Sequence, residues 1–453
     1  LIPNIHPAYD PKEDYDVHWG FADYTGKTIL DLGADVGSTA SWFLRHGAKA
    51  VTAVEGSPIF FKKLKRNAKR LPNTTIIRQM IQGDEDLAKL LEIPADVVKV
   101  DIEGAENFLA LVSRKTLRLH KEYVLEAHNP MLGKIMETTF QRGGFIKKHE
   151  FQYLDRLPIF HFVRDDSPEP PTQVMENVVV LIPIYQMATV FKKVQQFLYE
   201  LNPQPRKYIF VENNSTDGTL DVIAKFERPH EIINFTLDDS SLPFDGTYYT
   251  AHEVIGLVRQ LLLTEARKLD VDYAIFLDAD IAPLTRDMIG SLTGWGDKAD
   301  IIGGPYIRPF PSEPLLDVFW KTSVPGDWAM RRTARVAVQP LEDVAIVGGG
   351  CMCLTRKILK DERMNFWPRN PKWIPEYSED HAFCLDALDF GYKVALDTTV
   401  QLSHGVYENP DRQKPWMLGV DGKPLKFTYN PSKSNVLTVP SQARRKTRRF
   451  QKE

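Results

Sequence analysis

The stretch Asp165-Asp166-Ser167-Pro168-Glu169-Pro170-Pro171-Thr172 sets three prolines among acids, with no apolar side chain. Proline locks φ and lacks an amide hydrogen, so this stretch resists helix and sheet interior alike and reads as an extended connector. It divides a chain of 453 residues, too long for one core, since cores stop growing at roughly 250–300 residues. Domains are expected at 1–164 and 175–440, joined by a linker at 165–174 and followed by a tail at 441–453.

Upstream of the connector, β-branched runs at Thr28–Leu32, Ala50–Val54, Thr75–Ile81, Asp96–Ile102 and Tyr123–Ala127 alternate with amphipathic stretches. That alternation builds a parallel sheet covered by helices. Phe145–Phe151 and Leu157–Val163 follow, with a turn around Asp155, so the sheet is expected to end in an antiparallel hairpin. Downstream, the alternation restarts at Val178–Ile182 and continues through Tyr208–Val211 and Tyr273–Leu277. After about Gly304 it becomes irregular and rich in Pro and Trp. The fold class is α/β in both parts, without an internal repeat.

Several classes are excluded by composition. With 43% hydrophobic and 26% charged residues the chain is globular rather than disordered or fibrous. No apolar run approaches ~18 residues, so no membrane span is expected. A net charge of -3 gives no field suited to nucleic acid. Cys351, Cys353 and Cys384 are too few, and odd in number, for a disulfide framework, which points to a reducing, cytoplasmic setting. Cys351-x-Cys353 reads as two buried small residues, since no second pair follows at zinc spacing. Ser441 to Glu453 carries Arg444, Arg445, Lys446, Arg448, Arg449 and Lys452 against one acid. This tail is either solvated or a peripheral contact with an anionic membrane. The chain starts at Leu1, and no targeting segment is visible in it.

The first strand runs into Asp31-Leu32-Gly33-Ala34-Asp35-Val36-Gly37, and a helix begins at Ser38-Thr39. Glycines at a strand-to-helix turn let the backbone approach a ligand, and the helix start offers unpaired N–H groups. The G-x-x-x-G spacing differs from the pyrophosphate fingerprint. Glu55 ends strand two, 22 residues beyond Gly33, where a carboxylate can accept both hydroxyls of a ribose. Gly83-Asp84 is expected to end strand three, where an acid meets an adenine amino group. These positions suit one adenosine-bearing ligand across the carboxyl edge of the sheet.

With these features, residues 20 to 165 resemble the S-adenosylmethionine-dependent methyltransferases. Lys99-Val100-Asp101-Ile102-Glu103-Gly104-Ala105-Glu106 and Leu125-Glu126-Ala127-His128 look like the FkbM-type branch. The resemblance implies a Rossmann-like sheet with S-adenosylmethionine held near Asp31, Gly33, Asp35, Gly37, Glu55 and Asp84. Asp35 stands where that family usually has Asn. Methylation of a sugar hydroxyl needs a proton acceptor. His128 or Asp101 is the candidate base, Glu103 is either catalytic or a helix cap, and Glu106 is read as a cap. A divalent ion beside Asp101 is compatible with the sequence but not required by it.

In the second part, Phe276-Leu277-Asp278-Ala279-Asp280-Ile281 is an apolar strand ending in Asp-x-Asp. Paired carboxylates at a sheet edge suit Mg²⁺ or Mn²⁺ bridging the phosphates of a sugar nucleotide. Val178–Tyr185 leads into a Pro183-Ile184-Tyr185 turn, and Glu212-Asn213-Asn214-Ser215-Thr216-Asp217-Gly218-Thr219 offers carboxylates to base and ribose. Arg259 meets either a pyrophosphate or an ion-pair partner, and Arg267 is read as a surface ion pair. Val347–Cys351, Ser378-Glu379-Asp380-His381 and Leu402-Ser403-His404-Gly405 complete an ordered set.

Over residues 175 to 410 this set resembles a glycosyltransferase of the GT-A fold, family-2-like. The resemblance implies a metal held by Asp278, Asp280 and His404, with Asp380 of the Glu379-Asp380 pair as the base that inverts the anomeric centre. Donor contacts would come from Pro183, Tyr185, Glu212, Asn214, Asp217, Arg259 and Asp278. Glu212-Asn213-Asn214 departs from the usual Asp-Asp and is associated with transferases that can retain configuration. The run from Phe366 to Tyr377, with Trp367 and Trp373, is either an acceptor platform or packing. The expected whole is a bifunctional glycan-assembly enzyme using a UDP- or GDP-sugar, a saccharide or glycolipid acceptor and S-adenosylmethionine. The alternatives are glycosyl transfer with a scaffold first domain, or a binding protein with both sites dead.

Overall fold

The computed structural model describes residues 14–128, 130–153, 157–167, 172–235, 251–308, 340–367 and 378–404, with Ile2 and short strand pieces at 237–238, 315–316, 318–321, 328–330 and 428–429. The expected turn at Asp155, the run from Pro368 to Tyr377, Gly405 and the basic tail lie outside the described residues. Two compact units emerge, Leu1–Pro170 and Pro171–Glu453, and the division falls inside the proline-rich stretch. Among the described residues no helix is long and apolar enough to cross a membrane.

In the first unit, β1 (Thr28–Leu32), β2 (Ala50–Glu55), β3 (Thr74–Arg78), β4 (Val97–Val100), β5 (Glu122–Glu126), β6 (Phe145–Tyr153) and β7 (Leu157–Arg164) form one sheet in the order β3-β2-β1-β4-β5-β7-β6. β1 to β5 are parallel, and β7 runs antiparallel between β5 and β6. This is the Rossmann-like sheet with a terminal hairpin implied by the methyltransferase resemblance. Burial explains the sequence pattern: central β4 is buried at every position, whereas edge strand β3 is half exposed. Central parallel strands covered on both faces therefore read as continuous apolar runs. The covering helices include α1 (Ser38–Arg45), α2 (Pro58–Asn67), α3 (Asp84–Leu90) and α4 (Pro130–Gly143). Pro58 opens α2 behind the Ser57 cap, as proline's fixed φ favours. Trp19, Ile29, Phe43, Val51, Leu64, Val97 and Val124 share one core cluster. The strand order reverses between β1 and β4, which makes that point the crevice where ligands bind in such sheets.

One boundary differs from expectation. β3 stops at Arg78, and Asp84 is the first residue of α3 rather than a strand end. Three acids in the first turn, Asp84, Glu85 and Asp86, suit the positive end of the helix dipole, which gives Asp84 a local role besides the expected one.

In the second unit, an eight-stranded sheet contains β8 (Val174–Ile184), β9 (Gln204–Glu212), β10 (His230–Asn234) and β11 (Tyr273–Leu277). β12 (Ile281–Pro283) leaves for a second sheet. β13 (Ile301–Gly303), β14 (Leu341–Asp343), β15 (Cys351–Thr355) and β16 (Val394–Asp397) complete the first, in the order β10-β9-β8-β11-β15-β13-β16-β14. Pairing is parallel from β10 through β11 and antiparallel where β15 joins. Helices α5 (Ala188–Glu200), α6 (Ala251–Arg267) and α7 (Glu379–Asp389) lie in this unit, whose core cluster contains Val179, Leu181, Ile209, Phe276, Met352, Leu354 and Phe383. Cys351 and Cys353 sit fully buried on β15, and burial pushes the Cys351 thiol up to about 12.

Candidate functional site

The first site lies at the carboxyl edge of the first sheet. Gly33 follows β1 with φ +81, and a Cβ there would fall 1.7 Å from the Asp101 carbonyl oxygen, so the ends of β1 and β4 approach as only glycine permits. Gly37 adopts φ +93 at the cap of α1, and Asp35 also lies in the left-handed region at φ +48. Asn and Asp tolerate this region better than other side chains, which explains why an acid can replace the Asn of the resembled family. Glu55 braces the loop: its Oε2 accepts the Asp35 N–H at 2.9 Å and its Oε1 the Ser57 N–H at 2.6 Å. Burial raises its pKa, partly offset by those two hydrogen bonds.

Asp31 is fully buried and accepts the Thr39 hydroxyl at 2.6 Å. It faces Lys99, a wholly buried lysine that sequence reasoning left without a role. Lys99 Nζ donates to the Gly33 carbonyl at 2.8 Å and lies 3.3 Å from Asp31 and 3.2 Å from Asp101. Burial opposes its charge, but Asp101 and Asp31 outweigh that and raise its pKa. The signal was available: a lysine inside the buried run Val97–Val100 requires an ionic partner.

Beyond Lys99, the ends of β4 and β5 converge. His128 Nδ1 lies 3.0 Å from Glu106 Oε1, while its Nε2 lies 3.6 Å from Asp101 and 3.4 Å from Glu103. Glu106 is fully buried and accepts the Ile102 and Gly104 N–H groups at 2.8 and 2.9 Å, so it stitches the loop and also holds the histidine. Glu103 sits at φ +54 before the helical turn, with an exposed side chain. Burial opposes charge on His128, but Glu106, Asp101 and Glu126 lift its pKa to about 9. These carboxylates favour the protonated ring when nothing else is bound between them. Glu126, also not singled out from sequence, is 7% exposed, and burial followed by the charge of Asp101 raises its pKa to about 7.

In the second unit, β12 pairs antiparallel with β17 (Leu402–His404), placing His404 opposite Ile281. His404 Nε2 consequently lies 3.6 Å from Asp280 Oδ2. Asp278 is held elsewhere: buried Arg259 donates to Asp278 at 2.7 Å and to Glu379 at 2.7 Å, and lies 3.9 Å from Asp380. Two expected metal ligands are therefore together while the third is braced by arginine. Among the described residues, the only group of at least three His, Cys or carboxylate ligands with donor atoms within 4.8 Å of one another is Asp101, Glu126 and His128.

Arg259 itself pairs with carboxylates, the second of the two roles expected for it. Arg267 donates to the carbonyls of Leu359, Asp361 and Met364 instead of forming a surface ion pair. Asp380 accepts from the Ser378 hydroxyl and from the N–H groups of Gly349 at 2.6 Å and His381 at 2.8 Å. Burial opposes its ionisation, but His381, Arg259 and these bonds hold its pKa near about 2. These bonds fix the carboxylate of the expected base against the Gly348–Gly350 turn. Pro183 and Ile184 are buried at the end of β8, with Tyr185 just beyond. Glu212 accepts the Ser215 N–H at 2.5 Å, Asn214 has φ +55, and Asp217 accepts from Thr219 N at 3.0 Å and Ala188 N at 2.9 Å. The expected donor loop is thus tightly self-bonded.

No family model matches the chain. A curated relative, "Uncharacterized protein 65" of Sulfolobus islandicus filamentous virus (isolate Iceland/Hveragerdi), is 26% identical over 162 residues, 35% of this chain and 87% of the relative. A crystal structure of a protein from STIV aligns with 51% of this chain and 85% of its own, at 16% identity and TM-score 0.29. Aeropyrum pernix fibrillarin, solved with natively bound S-adenosyl-L-methionine, aligns with 31% of this chain and 67% of its own, at 17% identity and TM-score 0.27. The solved structures similar to about a third of this chain include several described as methyltransferases.

Proposed function

We propose that the first unit binds S-adenosylmethionine and transfers its methyl group to an acceptor hydroxyl, on a saccharide if the FkbM-type likeness extends to substrate. The observation that carries this reading is the crevice at the strand-order reversal, where the Gly33–Gly37 loop, the α1 N-terminus and Glu55 meet the Asp101–His128 cluster. The group fits: left-handed glycines bring the backbone close, and Glu55 retains lone pairs for ribose hydroxyls beyond its two backbone bonds. When bound, the sulfonium supplies an electrophilic methyl carbon. The chain orients the acceptor against it, with Lys99 fixing Asp101 and Glu106 fixing His128. Calorimetry should show S-adenosylmethionine binding by the full chain and its loss in Gly33→Arg. Failure of the unaltered chain to bind would reduce this unit to a scaffold.

The second unit supports a second reading, transfer of a sugar from a UDP- or GDP-sugar to a saccharide or glycolipid acceptor. It rests on the unit's own residues, specifically the β12–β17 pairing that joins Asp280 to His404. Oxygen and imidazole donors suit Mn²⁺, while Asp278 and Glu379 are positioned through Arg259. Donor hydrolysis with Mn²⁺ should disappear in Asp280→Ala; activity indifferent to metal would refute the reading.

A further inference from the structure

We propose that Asp101, Glu126 and His128 form a divalent-cation site in the first unit, taking Mn²⁺ or a similar borderline ion. Each offers a donor atom, and these atoms lie within 4.8 Å of one another. A six-coordinate ion with bonds of ~2.1 Å spaces its donors ~3 Å apart in cis and ~4 Å in trans, so modest side-chain adjustment closes the set. One imidazole with two carboxylates matches the preferences of Mn²⁺.

A second observation concerns Glu126. Its side chain is 7% exposed at the end of β5, with its carboxylate among the donors of this cluster. Among the described residues no hydrogen bond or ion pair holds that carboxylate, although charge acts on it through space. A buried carboxylate directed at another carboxylate and an imidazole is costly unless a cation joins them. The surroundings are built for such an ion. Lys99 occupies Asp101 Oδ2 at 3.2 Å, leaving Oδ1 on the side facing His128 Nε2. Glu106 faces Nδ1 at 3.0 Å, the outer carboxylate that typically orients a metal-bound histidine through its other nitrogen. Glu103 Oε2, 3.4 Å from Nε2 on an exposed side chain, is placed to add a further oxygen.

The consequence for chemistry rests on the methyltransferase reading. A cation here would bind the acceptor hydroxyl and ease loss of its proton as the oxygen attacks the methyl carbon. The proton leaves to solvent or a neighbouring carboxylate, and the neutral thioether departs. The acceptor class is then a hydroxyl compound able to ligate a metal, such as a vicinal diol.

The test separates metal binding from both proposed activities. Mn²⁺ is titrated into the full chain carrying Asp280→Asn, which removes the second unit's candidate ligand, and free Mn²⁺ is read by electron paramagnetic resonance. One equivalent should be retained, with nitrogen coupling from an imidazole that disappears in His128→Gln. Adding Glu126→Gln should abolish retention, and Glu106→Gln should weaken it by ~10–100-fold, the usual effect of an outer-shell change. If Asp280→Asn does not fold, the same comparison in the otherwise unaltered chain should show Glu126→Gln removing one equivalent. Calorimetric binding of S-adenosylmethionine to the same samples reports on the methyltransferase reading independently. Retention unchanged by Glu126→Gln, or no retained Mn²⁺ in a folded chain, overturns the proposal.

Discussion

At the scale of single residues, Lys99 organises the first unit's site. It ties the Gly33 carbonyl to Asp31 and Asp101 where water is excluded. Replacing it with Met fills similar space but leaves buried Asp31, and partly buried Asp101 beside it, without the lysine's charge, which costs about 3–5 kcal/mol. Urea denaturation of Lys99→Met should show that loss in the first unit, and Asp101→Asn in the same chain should recover part of it. A change below about 1 kcal/mol would mean the cluster relaxes to water. The positions at φ +81 and φ +93, Gly33 and Gly37, were legible because a glycine loop after a strand has few other uses. Lys99 and Glu126 were on view in the same motifs, yet their weight depends on burial, which a motif does not state.

At the scale of elements, Arg259 on α6 joins the end of β11 to the start of α7, and Asp380 joins α7 to the Gly348–Gly350 turn through Gly349. Asp380 is held near about 2 against an ordinary 3.8. A carboxylate depressed in the folded state stabilises above its unfolded pKa and loses that contribution as pH falls through the folded value. The second unit should therefore lose up to about 2 kcal/mol between pH 4 and pH 2 on account of Asp380. Melting temperature against pH should show this slope, and Asp380→Asn should flatten it. The Glu-Asp pair at the start of a helix was visible in the sequence; its partner Arg259, 120 positions earlier than Glu379, was not, because their meeting requires α6 and α7 to be side by side.

At the scale of the whole molecule, two units with separate cores, divided at Pro170 and Pro171, should unfold in two calorimetric transitions. S-adenosylmethionine at ~100 times its Kd should stabilise one of them by about 2.7 kcal/mol and leave the other in place. A single transition that shifts as a whole would show the units to be energetically coupled.

The sequence by itself determined the two-part α/β organisation, because strand and helix periods are local and proline-rich acid cannot continue either. It also determined the glycine loop and the carboxylates at the strand ends, whose spacing along the chain is short. Only the tertiary structure decided what those carboxylates face. Arg259 is turned inward onto Asp278 and Glu379, His128 is surrounded by acids, and Glu126 is buried beside Asp101. Proton affinity and metal affinity arise from neighbours within a few ångströms, and those neighbours come from strands and helices remote in sequence.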